Sequence, residues 1–197
     1  MNASILLGAG WENESLEVLW EDVDRAFCRL WRDDAEGDRH AFIPALSGAE
    51  HPTLESVNHL AREYELKDSL DAAWALKPLE FVRERGRTML FVEYSGGEPL
   101  DRLVGEPMEI ERFLRLAVAL SAALSRVHGR GLIHKDIKPA NVLVNSETAQ
   151  VWLTGFGIAS RLPRERQSPE PPEFIAGTLA YMAPEQTGRM NRSIDAR

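Results

Sequence analysis

Residues 132–143 read Leu132-Ile-His-Lys-Asp-Ile-Lys-Pro-Ala-Asn-Val-Leu143. After the strand-like Leu132-Ile133 a loop carries Asp136, Lys138 and Asn141 at offsets 0, +2 and +5. A lone Asp-x-Lys loop is usually a solvated turn, and a histidine such as His134 is more often a packed core imidazole than a catalyst. Two further stations follow in order, Gly155-Phe-Gly157 and Gly177-Thr-Leu-Ala-Tyr-Met-Ala-Pro-Glu185. Three ordered motifs in so short a span constrain the fold far more tightly than any one of them.

The rest of the chain narrows the class. At 197 residues it is long enough for one ordinary domain or most of a two-lobed one. An apolar content of 44% and a charged content of 27% fit a soluble globular chain with a real core. The single cysteine, Cys28, excludes an internal disulfide and a Cys-cluster metal site. The net charge of −8 argues against nucleic-acid binding through a basic face. The acid is concentrated: residues 1–50 hold 11 acids and 4 bases, net −7, and residues 51–197 hold 20 and 19, net −1. The start has no basic n-region, and the most apolar segment, residues 113–124, is too short to span a bilayer. No membrane insertion is expected, and the lack of a secretory start points to the cytoplasm.

Residues 16–20 and 26–31 read as a hairpin around an acidic turn, and residues 39–46 as a third strand that Pro44 demotes to an edge or strand end. Residues 51–70 open at Pro52-Thr53 and place Leu54, Val57, Leu60, Ala61 and Tyr64 at helical spacing. Two strand-like runs, 79–83 and 88–94, precede a break at Gly96-Gly97. Residues 110–128 are helical with apolar residues on more than one face, as in a buried helix, and Gly129 to Gly131 end them. Short strands alternate with polar loops to residue 158, and 161–181 read as a long loop containing Ser168, a phosphorylation candidate. The seam near Gly96 divides the chain into 1–95 and 96–197.

The loop at His134 closely resembles the protein kinase catalytic loop, H-R-D-x-x-x-x-N, and Lys138-Pro139 matches the Ser/Thr branch of that family. Gly155-Phe-Gly157 stands where the family has Asp-Phe-Gly, and Gly177 to Glu185 resembles the end of an activation segment, including Ala183-Pro184-Glu185. The resemblance implies an α+β fold of two lobes: a small β-rich N-lobe with one main helix, and an incomplete, mainly helical C-lobe. It implies ATP and Mg²⁺ as cofactors. Asp136 would accept the proton of an acceptor hydroxyl, Lys138 would meet the γ-phosphate, and Asn141 would hold a Mg²⁺. Thr178 would steady Asp136 and Lys138, while His134 would only pack. Backbone groups of Glu93, Tyr94 and Ser95 would meet an adenine with Val92 lining the back of the pocket, and Glu63 would pair with a strand lysine.

Several expected parts are missing. The hairpin Trp20-Glu-Asp-Val-Asp-Arg-Ala-Phe-Cys28 has no glycine and presents Glu21, Asp22 and Asp24 where the family has a Gly-rich phosphate loop. Pro44 stands at the position read as the strand lysine, so Glu63 is expected to lack its partner, with Arg62 or Lys67 as substitutes. Lys135 replaces the usual Arg of the catalytic loop and cannot make a bidentate phosphate contact. Gly155 offers no oxygen where the family has a Mg²⁺-binding Asp, and Thr154 is a poor stand-in. Losing one preorganised electrostatic group costs about 10²–10³ in rate, so the combined losses imply roughly 10⁴ or more. Gly155→Asp is expected to create a metal site beside Asn141.

Two readings follow. One is a Ser/Thr protein kinase-like signalling domain with a degraded ATP/Mg site, a regulatory pseudokinase. The alternative is an active Ser/Thr kinase with Asp136 as base. A small-molecule phosphotransferase of related fold is disfavoured, because such enzymes lack an Ala-Pro-Glu segment. The tail also resembles kinase modules that open large bacterial multidomain proteins with an ATPase region and a sensor histidine kinase behind them. The chain is therefore expected to be an N-terminal piece of a longer one, with a protein partner or substrate that includes those downstream domains.

Overall fold

A computed structural model describes residues 16–21, 25–33, 39–47, 53–84, 87–94, 96–161, 176–187 and 194. The expectations for Asp22, Asp24, Ser95, Ser168 and most of the long loop fall outside these residues. The chain divides into two compact units, Met1–Asp68 with Leu76–Ser95, and Ser69–Ala75 with Gly96–Arg197.

The first unit is a five-stranded antiparallel sheet and one helix. Its strands are β1 (Leu16–Glu21), β2 (Arg25–Asp33), β3 (Arg39–Ser47), β4 (Pro78–Glu84) and β5 (Arg87–Val92), in the spatial order β1-β2-β3-β5-β4. Pro44 was expected to push its strand to an edge; instead β3 lies inside the sheet, with Pro44 opposite Phe91 of β5. The register explains why a residue without an N–H is tolerated. Between β2 and β3 it pairs Phe27 with Ala45 and Leu30 with Phe42, and skips the two positions between, where Pro44 lies. Helix α1 (Leu54–Glu65) starts where Thr53, in an extended conformation, accepts the Ser56 N–H on its hydroxyl at 3.1 Å. It stops at the Leu66 cap, short of the 51–70 pattern, because the chain passes into the second unit at Ser69. Leu60 and Glu63 are its buried residues. Phe27, Cys28, Met89, Leu90 and Val92 of the sheet are buried.

The second unit packs α2 (Ile110–Gly129) on two small sheets. These are β6 (Glu98–Pro99) with β8 (Val142–Val144) and β9 (Val151–Leu153), and β7 (Leu132–Ile133) with β10 (Ser160–Arg161). Leu132, Leu143 and Leu153 of these strands are fully buried. The helix buries Leu116, Ala123 and Val127, while Ile110, Phe113, Leu114 and Val118 are exposed among the described residues. A helix buried on several faces was expected; the small sheets cover one stripe. The two units part between Ser95 and Gly96, and residues 69–75 belong to the second unit. There the Trp152 indole donates to the Ala72 carbonyl at 2.9 Å, the Leu153 N–H donates to Trp74 O at 2.9 Å, and Trp74 is buried.

Candidate active site

The second unit gathers the catalytic-loop residues around one carboxylate. Asp136 Oδ1 accepts from both the backbone N–H and the hydroxyl of Thr178, at 2.9 and 2.8 Å. Its Oδ2 accepts from Asn141 Nδ2 at 2.8 Å, and Lys138 Nζ stands 3.8 Å from the same oxygen. Asn141 Nδ2 also donates to the Asp136 carbonyl at 2.8 Å, and Asn141 is fully buried. Hydrogen bonds to an ionised acceptor are the short, strong ones, so this carboxylate is held in one orientation. The structure thus brings together Asp136, Lys138, Asn141 and Thr178, four residues some forty positions apart at the extremes.

Local backbone conditions explain the placement. Lys135 takes a left-handed φ of 70° directly before Asp136. Burial lowers the Lys135 ammonium below its ordinary range. His134 is buried against Phe156, ring centroids 4.5 Å apart. Its Nδ1 accepts the Asp136 N–H at 3.2 Å, which assigns the ring proton to Nε2, donating to Thr154 O at 2.9 Å. The histidine therefore ties the loop to the strand carrying Gly155 and is a packing residue, as expected. Gly177 has φ 122°, and a Cβ there would stand 3.0 Å from the Lys135 carbonyl, so a glycine lets the segment reach Asp136. Gln186, which the motif reading passed over, donates to the Lys135 carbonyl at 2.7 Å and accepts the Ala183 N–H at 3.1 Å. Its position directly after Ala-Pro-Glu was the only available signal.

Gly155 packs directly against Asn141. Its φ is 84°, and a Cβ would lie 2.8 Å from Cγ, Nδ2 and Oδ1 of Asn141. The expectation that Gly155→Asp builds a metal site beside Asn141 therefore requires the Asn141 amide to shift. The Asp136 carboxylate is held by Thr178, Asn141 and Lys138, and Thr154 contributes only a neutral hydroxyl, buried without a hydrogen-bond partner. Among the described residues no group of three His, Cys, Asp or Glu could hold a metal.

In the first unit, Val92 is buried at the end of β5, and Glu93 follows it exposed. The Glu93 N–H donates to Lys77 O at 2.8 Å, so the backbone group it can offer a base is its carbonyl. The Tyr94 ring lies 6.2 Å from that of Trp20. Glu63 does not lack a partner. Its Oε2 lies 3.4 Å from Nη1 of Arg25, the first residue of β2, and both side chains are largely buried. Neither Arg62 nor Lys67 fills this role; Lys67 instead donates to the Tyr64 hydroxyl at 3.1 Å. Breaking a buried pair from one side costs about 3–5 kcal/mol, so Arg25 and Glu63 fasten α1 to the sheet. The sequence signal was present, since Arg25 is the one base in the acidic hairpin.

The sequence of residues 45–196 matches the model of the protein kinase domain. The chain belongs to the protein kinase family. Among the relatives found are serine/threonine-protein kinases. The kinase domain is 31% identical over 139 residues to serine/threonine-protein kinase pkn3 of Myxococcus xanthus, covering 66% of this chain and 25% of that one. It is 38% identical over 107 residues to serine/threonine-protein kinase AfsK of Streptomyces griseus, covering 53% and 13%. It is 29% identical over 163 residues to serine/threonine-protein kinase pkn2 of Myxococcus xanthus, covering 81% and 19%. The kinase domain thus spans a quarter or less of these bacterial relatives. No described helix is long and apolar enough to cross a membrane.

Proposed function

We propose that this kinase domain is a pseudokinase-type signalling module, with weak or absent phosphoryl transfer, that acts by docking a protein partner. One observation carries the reading: the Mg²⁺-binding carboxylate position is Gly155, and Asn141 packs into the space its side chain would need. Phosphoryl transfer relies on a divalent ion to neutralise charge on the phosphates. A site whose one carboxylate is already committed to Thr178, Asn141 and Lys138 gives the ion little to bind. The Asp136 loop nevertheless keeps the family's arrangement of Asp136, Lys138, Asn141 and Thr178. The partner class is protein, including further domains of a longer chain.

The test is Mg·ATP titration of the intact chain by calorimetry, with a parallel radiolabel assay on a generic Ser/Thr protein substrate. The expected result is no Mg²⁺-dependent gain in ATP affinity and no label above the Asp136→Asn control. Label transfer that Asp136→Asn abolishes would establish the active-kinase alternative.

A further inference from the structure

Helix α2 leaves a row of apolar side chains uncovered among the described residues. Ile110 is 75% exposed, Leu114 54% and Val118 69%, and Phe113 beside them is 54% exposed. Ile110, Leu114 and Val118 follow one another at intervals of four, so they share one side of the helix, opposite the buried Leu116, Ala123 and Val127. The same side continues through Ala122 and Ser125, both exposed. Contiguous exposed apolar surface of this kind marks an interaction site.

The row is uneven, and the unevenness selects what covers it. Its first half is bulky, at Ile110 and Leu114, and its second half is small, at Ala122 and Ser125. Charge runs the same way, from Glu111 in the first turn to Arg126 in the last. Arg115, between them, is paired with Glu111 along the helix. Leu114 stands four residues before Val118 and Ala122 four after it, while Glu111 stands seven before and Arg126 eight after. A second α2 laid antiparallel across Val118 therefore sets Leu114 over Ala122 and Glu111 beside Arg126, each twice. A carboxylate has oxygens enough to accept from Arg126 of the copy and from its own Arg115. The two helix dipoles also oppose each other. A parallel copy would instead set Leu114 on Leu114, Ala122 on Ala122 and like charges on like. Small residues opposite bulky ones let helix axes close to about 8–10 Å.

We propose that the uncovered side of α2 is a homodimer interface, in which two copies of this chain pair antiparallel about a two-fold axis at Val118. Such a contact uses one patch on both copies, so it closes at two. It goes beyond the reading above and holds whether or not the domain transfers phosphate.

The test is analytical ultracentrifugation of the intact chain at micromolar concentration. The expected mass is twice the 22.1 kDa of one chain. Val118→Arg places two cations on the axis and should give a monomer with the circular dichroism of the unmodified chain. Glu111→Arg and Arg126→Glu should each weaken the dimer about tenfold, because each sets two like-charged pairs across the axis. Mixing those two variants restores both opposite pairs in the heterodimer, so the mixture should dimerise about as tightly as the unmodified chain. Assemblies larger than two, a dimer indifferent to Val118→Arg, or a mixture no tighter than its components overturns the proposal. So does a monomeric unmodified chain; resistance of its Phe113 and Leu114 to hydroxyl-radical footprinting would then assign the face to another occupant.

Discussion

Gly155→Ala isolates the packing between Gly155 and the catalytic loop. The structure sets two separate penalties. A β-carbon at φ 84° sits in the left-handed region, which costs an ordinary L-residue about 1–2 kcal/mol. The same carbon lies 2.8 Å from three atoms of Asn141, closer than atoms pack, so the amide must move. Asn141 is fully buried and its Nδ2 donates to both the carbonyl and Oδ2 of Asp136 at 2.8 Å. Displacing it forfeits two hydrogen bonds at about 1 kcal/mol each. The expected loss is about 3–4 kcal/mol, a large part of a domain's typical stability. Urea denaturation followed by circular dichroism and tryptophan fluorescence measures it. Repeating the substitution in an Asn141→Ala background separates the two penalties. There the clash is gone, and Gly155→Ala should cost only the backbone term, about 1–2 kcal/mol. A loss below about 1 kcal/mol in the unmodified chain, or the same loss in both backgrounds, refutes the reasoning.

Two other outcomes are expected. Thr178→Val removes the hydroxyl donor to Asp136 Oδ1 and keeps the backbone one, so it should destabilise by about 2 kcal/mol in the same assay, with Thr178→Ser close to the unmodified chain. Cys28 is buried, and burial, with Glu21 nearby, pushes its thiol up from 9.0 to about 11. It should therefore resist iodoacetamide at pH 8.5 until urea unfolds the chain. The unfolded thiol loses its proton first, so stability should fall as pH rises from about 9 to about 11, by up to about 1.4 kcal/mol per pH unit. Cys28→Ala should remove that slope, and native labelling as fast as unfolded labelling contradicts the burial argument.

Much of the catalytic unit was legible in sequence because its chemistry is local. Asp136, Lys138 and Asn141 lie within six residues, and a short loop between two strands can bring them together without help from distant parts. The glycine at 155 was equally plain, since a missing side chain can be read from the letter alone. Helix α1 was announced by Thr53 and the spacing that follows it, and its early end was not, because the departure of the chain at Ser69 depends on where Trp74 finds its core. Cross-strand relations were the hidden part. Pro44 looked like an edge residue, and only the pairing of β3 with both β2 and β5 showed a central strand whose ladder lapses beside it. Gln186 and Lys135 lie 51 positions apart, so no spacing rule could join them. Arg25 and Glu63 are 38 positions apart and meet because a sheet register and a helix face coincide. Sequence determined which charges exist and which ligand oxygens are missing. Tertiary structure decided which charge answers which, because a buried carboxylate must be paired, and the fold alone chooses the cation that stands within reach.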